Sequence, residues 1–276
     1  MCLILFAYRC HPLYPLLVAA NRDEFYQRPT APLAAWDDAP QVVAGRDLQA
    51  GGTWLGITGT GRFAALTNYR DPSRLIPDAP SRGRLTEDYL RGEEPAWRYL
   101  ERLSRQAGDY NGFNLLAGDA GGLFYYANYL GKPRLLEPGV YGLSNHFLDT
   151  PWPKVRRGRE ALRRLLARKA DPDPDDLLGL LTDRALAPDA ELPRTGIPLE
   201  WERWLSPLFI SAPGYGTRAS TALRVDGAGS ATLVEVTWPD ASRREVRVPW
   251  PAAEQDAEPQ TQDGPSLVRI ERDRLS

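Results

Sequence analysis

The residues with the most chemical potential are a cysteine at position 2 and the run Asn21-Arg22-Asp23-Glu24. Methionine removal is favoured when the second residue is small, and cysteine is small enough. Cys2 would then carry both a thiol and a free α-amine. Such an amine has a reference pKa of about 7.7–8.0, so it can act as a base near neutral pH. It can take the thiol proton directly or through a water, as in N-terminal nucleophile arrangements. A neighbouring Arg22 lowers the thiol pKa further, and the thiolate is the reactive form. The alternative is a small apolar cysteine buried in a first strand.

The histidine count bears on that choice. There are two, His11 and His146. His11 falls in a loop signal and His146 follows the strand-like run 140–145. A Cys-His-Asn hydrolase needs a histidine oriented by a third group, and neither has an obvious local partner. The chain therefore favours an amine base over an imidazole base.

These groups need elements to position them. Leu3 to Ala7 and Leu16 to Ala20 are apolar runs of strand length around a Pro-rich turn, which predicts a β-hairpin. Antiparallel pairing brings Cys2 near Arg22 and Asp23. Phe25 to Pro40 reads as a loop, and Gln41 to Asp47 as a short strand or turn. Thr53 to Thr58 and Arg62 to Asn68 read as paired strands, with Asn68 at a strand end. Helices are expected over 81–91 and 95–106. Gly112 to Gly118 and Leu123 to Asn128 are strands, and Asn114 is a polar residue inside the first of them. A buried amide needs partners, so Asn114 is either a satisfied structural residue or an oxyanion donor. The stretch 139–145 is a further strand.

Pro153 to Lys169 is a helix with Val155, Leu162, Leu165 and Leu166 at helical spacing. Its basic residues read as a solvated face. Pro172 to Leu186 is another helix, with acidic residues in its first turn, and Ala187 to Pro198 is a Pro-rich loop. Strands return over 208–211, 214–223, 231–237 and 243–248. Arg218 lies in an otherwise small and apolar strand, where a cation needs a partner or a role. Antiparallel strands with segregated helices predict an α+β fold, two sheets packed between helix layers. Residues 1–250 read as one domain. Residues 251–276 are polar and rich in Pro, Gln and Glu at first, and read as a disordered tail.

Composition narrows the function classes. The chain has 276 residues, 42% hydrophobic and 25% charged, with a formal net charge of −2, which is ordinary for a globular protein. There is no basic field of the kind that captures nucleic acid. Two cysteines make no disulfide framework and point to a reducing compartment, although a Cys2–Cys10 bond would idle the thiol. No segment reaches the roughly 18 apolar residues of a membrane span, and the N-terminus lacks a signal-peptide pattern. The expectation is a cytoplasmic protein. Two histidines and two cysteines without paired spacing do not resemble a zinc site, and no metal is expected.

Several segments together resemble the NRDE family, whose eukaryotic members are called transport and Golgi organisation protein 2. They are Met1-Cys2, Asn21 to Tyr26, Gly51 to Gly56, Ala65 to Tyr69, Tyr110 to Leu115, Tyr141 to Asn145, Thr150-Pro151-Trp152 and Gly214 to Arg218. The family resembles N-terminal nucleophile hydrolases with an αββα sandwich, the branch of penicillin V acylase and bile salt hydrolase. By that resemblance Cys2 is nucleophile and amine base. Arg22 and Asp23 hold the thiolate and the α-ammonium. Asn68 and Asn114 are oxyanion and substrate contacts, and Arg218 completes the cluster. The family is linked to lipid and acyl-coenzyme A homeostasis, Golgi organisation and haem trafficking.

Two functions are thus expected to compete. One is hydrolysis of a linear amide or acyl thioester in a pocket lined by Trp36, Trp54 or Phe113, with no cofactor. The other is carriage of haem or an acyl lipid without turnover, with Cys2, Cys10 and His11 as candidate haem ligands. The sequence leaves substrate and oligomeric state open.

Overall fold

The computed structural model describes residues 2–251. In chain order the strands and helices are β1 (Cys2–Tyr8), β2 (Leu16–Phe25), β3 (Thr30–Trp36), β4 (Ala39–Asp47), β5 (Leu55–Thr58), β6 (Phe63–Asn68), α1 (Gly83–Arg91), α2 (Ala96–Ser104), β7 (Phe113–Asp119), β8 (Gly122–Ala127), β9 (Arg134–Leu135), β10 (Gly139–Leu143), α3 (Pro153–Arg168), α4 (Pro174–Gly179), α5 (Leu199–Trp204), β11 (Ser211–Ala212), β12 (Tyr215–Val225), β13 (Ser230–Thr237) and β14 (Ser242–Pro249). The expected tail lies outside the described residues, apart from Pro251.

The strands form two antiparallel sheets. The first has the order β10-β1-β2-β12-β13-β14, with β11 paired to β12; the second runs β3 to β9 in sequence order. Alternation along β1 explains how the layers assemble, because successive side chains point to opposite faces. Ile4 and Phe6 face the second sheet, joining Val18, Ile57, Phe63, Ala65 and Leu116 in the inter-sheet core. Leu3 and Leu5 face outward, against Val155 and Leu162 of α3 and Leu177 of α4. On the far side, Ala64, Leu66 and Leu115 of the second sheet pack against Tyr89 of α1 and Leu100 of α2. The result is the expected αββα sandwich. Because β1 and β2 are buried on both faces, their sequences read as unbroken apolar runs.

The sequence reading misplaces three segments. Thr30 to Trp36 is a strand, although Phe25 to Pro40 reads as a loop. β3 is the outer strand of its sheet, and its register with β4 shifts between Ala31 and Ala34. Pro32 falls in that irregularity, where no ladder donor is required. Next to it, the Leu33 N–H donates to the Glu235 carboxylate of β13 at 2.8 Å. The helix expected over 172–186 is only α4, which starts at Pro174 on a capping box made by Asp173 and Asp176 and ends at Gly179. A 3-10 turn, Leu180–Thr182, follows it. The strand expected over 208–211 is reduced to Ser211–Ala212; Leu208 and Ile210 instead fill apolar cores.

Candidate active site at the start of the first strand

Cys2 lies directly opposite Arg22 in the β1–β2 ladder. Directly opposed residues project from the same face, and by alternation with Ile4 and Phe6 that is the inter-sheet face. Arg22 is 5% exposed. Its guanidinium lies over the Trp54 ring, 4.3 Å from the centroid. Nη1 donates to Thr30 Oγ1 at 3.1 Å, and Nη2 stands 4.0 Å from the Asp47 carboxylate. Cys2 is half-buried, and its carbonyl accepts from Ser144 Oγ at 3.1 Å. Burial pushes the thiol pKa up and the Asp23 charge adds to this, while Arg22 and a backbone hydrogen bond from Asp23 pull it down. The thiol thus starts as a protonated group that needs a base.

Asp23 points to the opposite face of β2, toward the helices. It is 1% exposed, and Thr217 Oγ1 donates to its Oδ1 at 2.7 Å. Tyr215 Oη donates to its backbone carbonyl at 2.8 Å. Burial raises the carboxyl pKa; Lys154, the Thr217 hydroxyl and Arg22 lower it. Asn21 shares that face and is anchored: Nδ2 donates to the carbonyls of Leu181 and Leu208, and Ser220 Oγ donates to its Oδ1. The polar run at the end of β2 therefore divides by alternation. Arg22 attends the thiol, and Asn21 and Asp23 tie the sheet to what packs behind it.

The two asparagines behave differently. Asn114 is fully buried. Its Nδ2 donates to Thr67 Oγ1 and to the His146 carbonyl, both at 3.0 Å, and its Oδ1 accepts from Tyr125 Oη at 2.7 Å. Both amide hydrogens of Asn114 have partners in this structure. Asn68 is half-buried at the end of β6. Its carbonyl accepts from Asn145 Nδ2 at 2.9 Å, and its side-chain amide makes no hydrogen bond among the described residues. Cys2 and β6 are joined through Ser144, which donates to the Cys2 carbonyl and accepts from Thr67 Oγ1 at 2.6 Å.

Arg218 occupies the register shift of β12 between Thr217 and Ala219. Its Nη1 donates to the carbonyls of Phe25, Tyr26 and Arg28 at 2.9, 2.8 and 3.1 Å. It clasps the turn after β2, and its charge reaches Arg22.

Of the three aromatic residues expected to line a pocket, Trp54 is at the site. Trp36 and Phe113 lie in the core between the second sheet and its helices, away from the thiol's face. Cys10 and His11 lie in the β1–β2 turn, beyond the far end of β1. Both cysteines are free. His146 does have partners, contrary to the sequence reading: Tyr69 Oη at 2.7 Å on Nε2 and Thr150 Oγ1 at 2.8 Å on Nδ1. They come from β6's end and from four residues downstream, and none is a carboxylate.

Three sets of charged groups escaped the sequence reading. Arg82, just before α1, is half-buried and, among the described residues, donates only to the Gly112 carbonyl, at 3.0 Å, while the Glu24 and Cys2 charges act on it. Arg70 and Glu202 form a buried ion pair at 2.6 Å. Lys154, in the first turn of α3, is 2% exposed, although the basic residues of that helix read as solvated. No local pattern marks any of them, since each acquires its place through tertiary packing.

A thiol opposed to a buried guanidinium, with a buried carboxylate on the reverse face of the same hairpin, is equipped for nucleophilic attack once a base is supplied. Residues 1–240 match the family described as Transport and Golgi organisation 2. The Transport and Golgi organization protein 2 homologs of Bos taurus and Homo sapiens are each 36% identical over 255 residues, covering 85% of this chain and 92% of theirs. The Drosophila melanogaster protein is 30% identical over 263 residues, covering 86% and 92%. Among solved structures, a C2A mutant of the conjugated bile acid hydrolase from Clostridium perfringens matches 89% of this chain and 92% of its own, with a TM-score of 0.52 at 9% identity. That likeness is one of fold, the N-terminal nucleophile hydrolase sandwich. The chain belongs to the Transport and Golgi organisation 2 family.

Proposed function

We propose that the protein is a hydrolase that uses Cys2, after removal of Met1, as an N-terminal nucleophile on a linear amide or acyl thioester of lipid-like character. The observation that carries this reading is the pairing of Cys2 with Arg22, with Asp23 buried one residue further on. The free α-amine takes the thiol proton, and Sγ attacks the carbonyl carbon. The carbonyl electrons move to oxygen, giving a tetrahedral oxyanion. The uncommitted amide of Asn68 is the donor best suited to meet that charge. The leaving amine or thiol departs with the proton from the α-ammonium, and water then releases the acid from the Cys2 thioester. Arg22 stabilises negative charge on sulfur, and Asp23 holds the α-ammonium.

The competing reading is carriage of haem or an acyl lipid in the same region. A haem held by Cys2 would draw no second ligand from Cys10 or His11, since β1 separates them by about 20 Å at strand rise.

The test is product release from a chromogenic acyl anilide or thioester by the Met1-free protein. Release that disappears in Cys2→Ala, with the fold intact by circular dichroism, is the expected result. Normal release by Cys2→Ala would remove the proposal.

A further inference from the structure

Lys154 is a buried charge among the described residues that the proposed reaction does not use. It occupies the first turn of α3, the helix that packs on β1 and β10. It is 2% exposed, and its Nζ makes no hydrogen bond among the described residues. Its neighbours around a small pocket include Arg70, Trp152, Glu202 and Ser206. Arg70 and Glu202 form an ion pair at 2.6 Å, Glu202 also accepts from the Thr195 N–H and hydroxyl, and the Arg70 guanidinium lies over the Trp152 ring, 4.8 Å from the centroid. That pairing leaves Lys154 as a buried cation without a carboxylate at ion-pair distance among the described residues. A buried ammonium in that condition is costly, and such groups persist where a role requires them.

The role is legible from what it faces. Asp23 projects from β2 toward this same helix-side layer. Asp23 is the charge acting most strongly on Lys154, and Lys154 is the side-chain cation acting most strongly on Asp23. The other groups acting on the two are Cys2, Arg22, Arg70, Glu202, Tyr215 and the Thr217 hydroxyl. We propose that Lys154 is a positioning residue whose ammonium keeps the buried Asp23 carboxylate ionised from the helix side, so that Asp23 can hold the Cys2 α-ammonium. The assignment rests on the N-terminal nucleophile reading for its consequence, and on the burial and placement of the two side chains for its existence. Lys154 touches no substrate and moves no proton in the reaction. It acts through Asp23, across the thickness of the sheet. Without Lys154 the carboxyl, already pushed up by burial, takes a proton at higher pH.

Two readouts on the full-length protein separate the proposal from the reading beneath it. The first is a double-mutant cycle in thermal stability at pH 7 with Lys154→Met, Asp23→Asn and the double variant. The expected result is a double variant clearly more stable than the two single shifts summed, since residues in contact or one charge network couple. Additive shifts would overturn the proposal whether or not the protein is an enzyme. The second is the pH dependence of Cys2 acylation by a small thioester probe. In Lys154→Met the acidic fall-off should set in about one pH unit higher, and Lys154→Arg should restore the wild-type profile. An unmoved fall-off, in a variant that folds, would also overturn it. Coupled stability with no acylation of the wild type would leave the charge pair standing and remove the nucleophile reading instead.

Discussion

The polar groups around Asn114 and those around Cys2 lie in the same sandwich but are satisfied to different degrees. At Asn114 the account closes. Its amide is fully bonded, Thr67 Oγ1 continues to the Ser144 carbonyl, and Tyr125 Oη accepts from the Leu148 N–H at 3.1 Å while donating to Asn114. Around Cys2 capacity is left over. Among the described residues the Asn68 side chain is uncommitted and Arg82 donates to one carbonyl. Fully bonded buried networks fix geometry. Residual donors beside the proposed nucleophile are the groups that can respond to a substrate. The first cluster is the platform, and the second holds the donors on which the proposed reaction would draw.

Substitutions can break or sharpen that division. The largest effect is expected at Cys2: Cys2→Ala should abolish acylation by a thioester probe while changing stability by less than about 1 kcal/mol. A large loss of stability would move Cys2 into the platform. Next is Arg70→Leu, which leaves Glu202 buried without its cation and should cost about 3–5 kcal/mol in urea unfolding. Asn68→Ala should lower the acylation rate by roughly 10²-fold, about 2.7 kcal/mol, with stability changed by less than about 0.5 kcal/mol. Asn114→Ala should invert that pattern, losing about 2 kcal/mol of stability because Tyr125 and the His146 carbonyl lose their partner. If Asn114→Ala slowed acylation without destabilising, the two asparagines would have been assigned the wrong way round.

The smallest effect is a pH dependence. Burial, first, pulls Lys154 down from its ordinary 10.5 to about 8. Below pH 8 the lysine is charged in both states, and the native state bears the cost of burying it. Above pH 8 the native lysine is neutral while the unfolded one still binds a proton, so its contribution to stability rises with pH. Between pH 8 and 9 the wild type should gain up to about 1.4 kcal/mol relative to Lys154→Met. A flat difference would mean that the lysine is not buried as a charge.

How much of this was readable beforehand depended on whether a residue's place follows from its own strand. Leu3 to Ala7 and Leu16 to Ala20 name their strands by apolar length, and the turn between them fixes the hairpin. That alone brings Cys2 to Arg22. β3 was hidden because two nearby prolines, Pro29 and Pro32, argue against a strand unless it is known to be an edge. Lys154 was hidden because a helix with many arginines reads as solvated, and only the packing of α3 on β1 turns its first residues inward. Arg82 and the Arg70–Glu202 pair join segments far apart in the chain, which no local pattern records. For Asn114, residue type raised both alternatives, and only the folded chain supplies the partners its amide has here.

The central claim, that Cys2 is an N-terminal nucleophile, is tested most directly by the intact mass of protein made in its own host, before and after a thioester probe. Met1 is the sole methionine of the chain, so its loss leaves a methionine-free protein. Met1 is expected to be absent and one acyl group to be added, at Cys2. Retained Met1, or acylation that persists in Cys2→Ala, would contradict it.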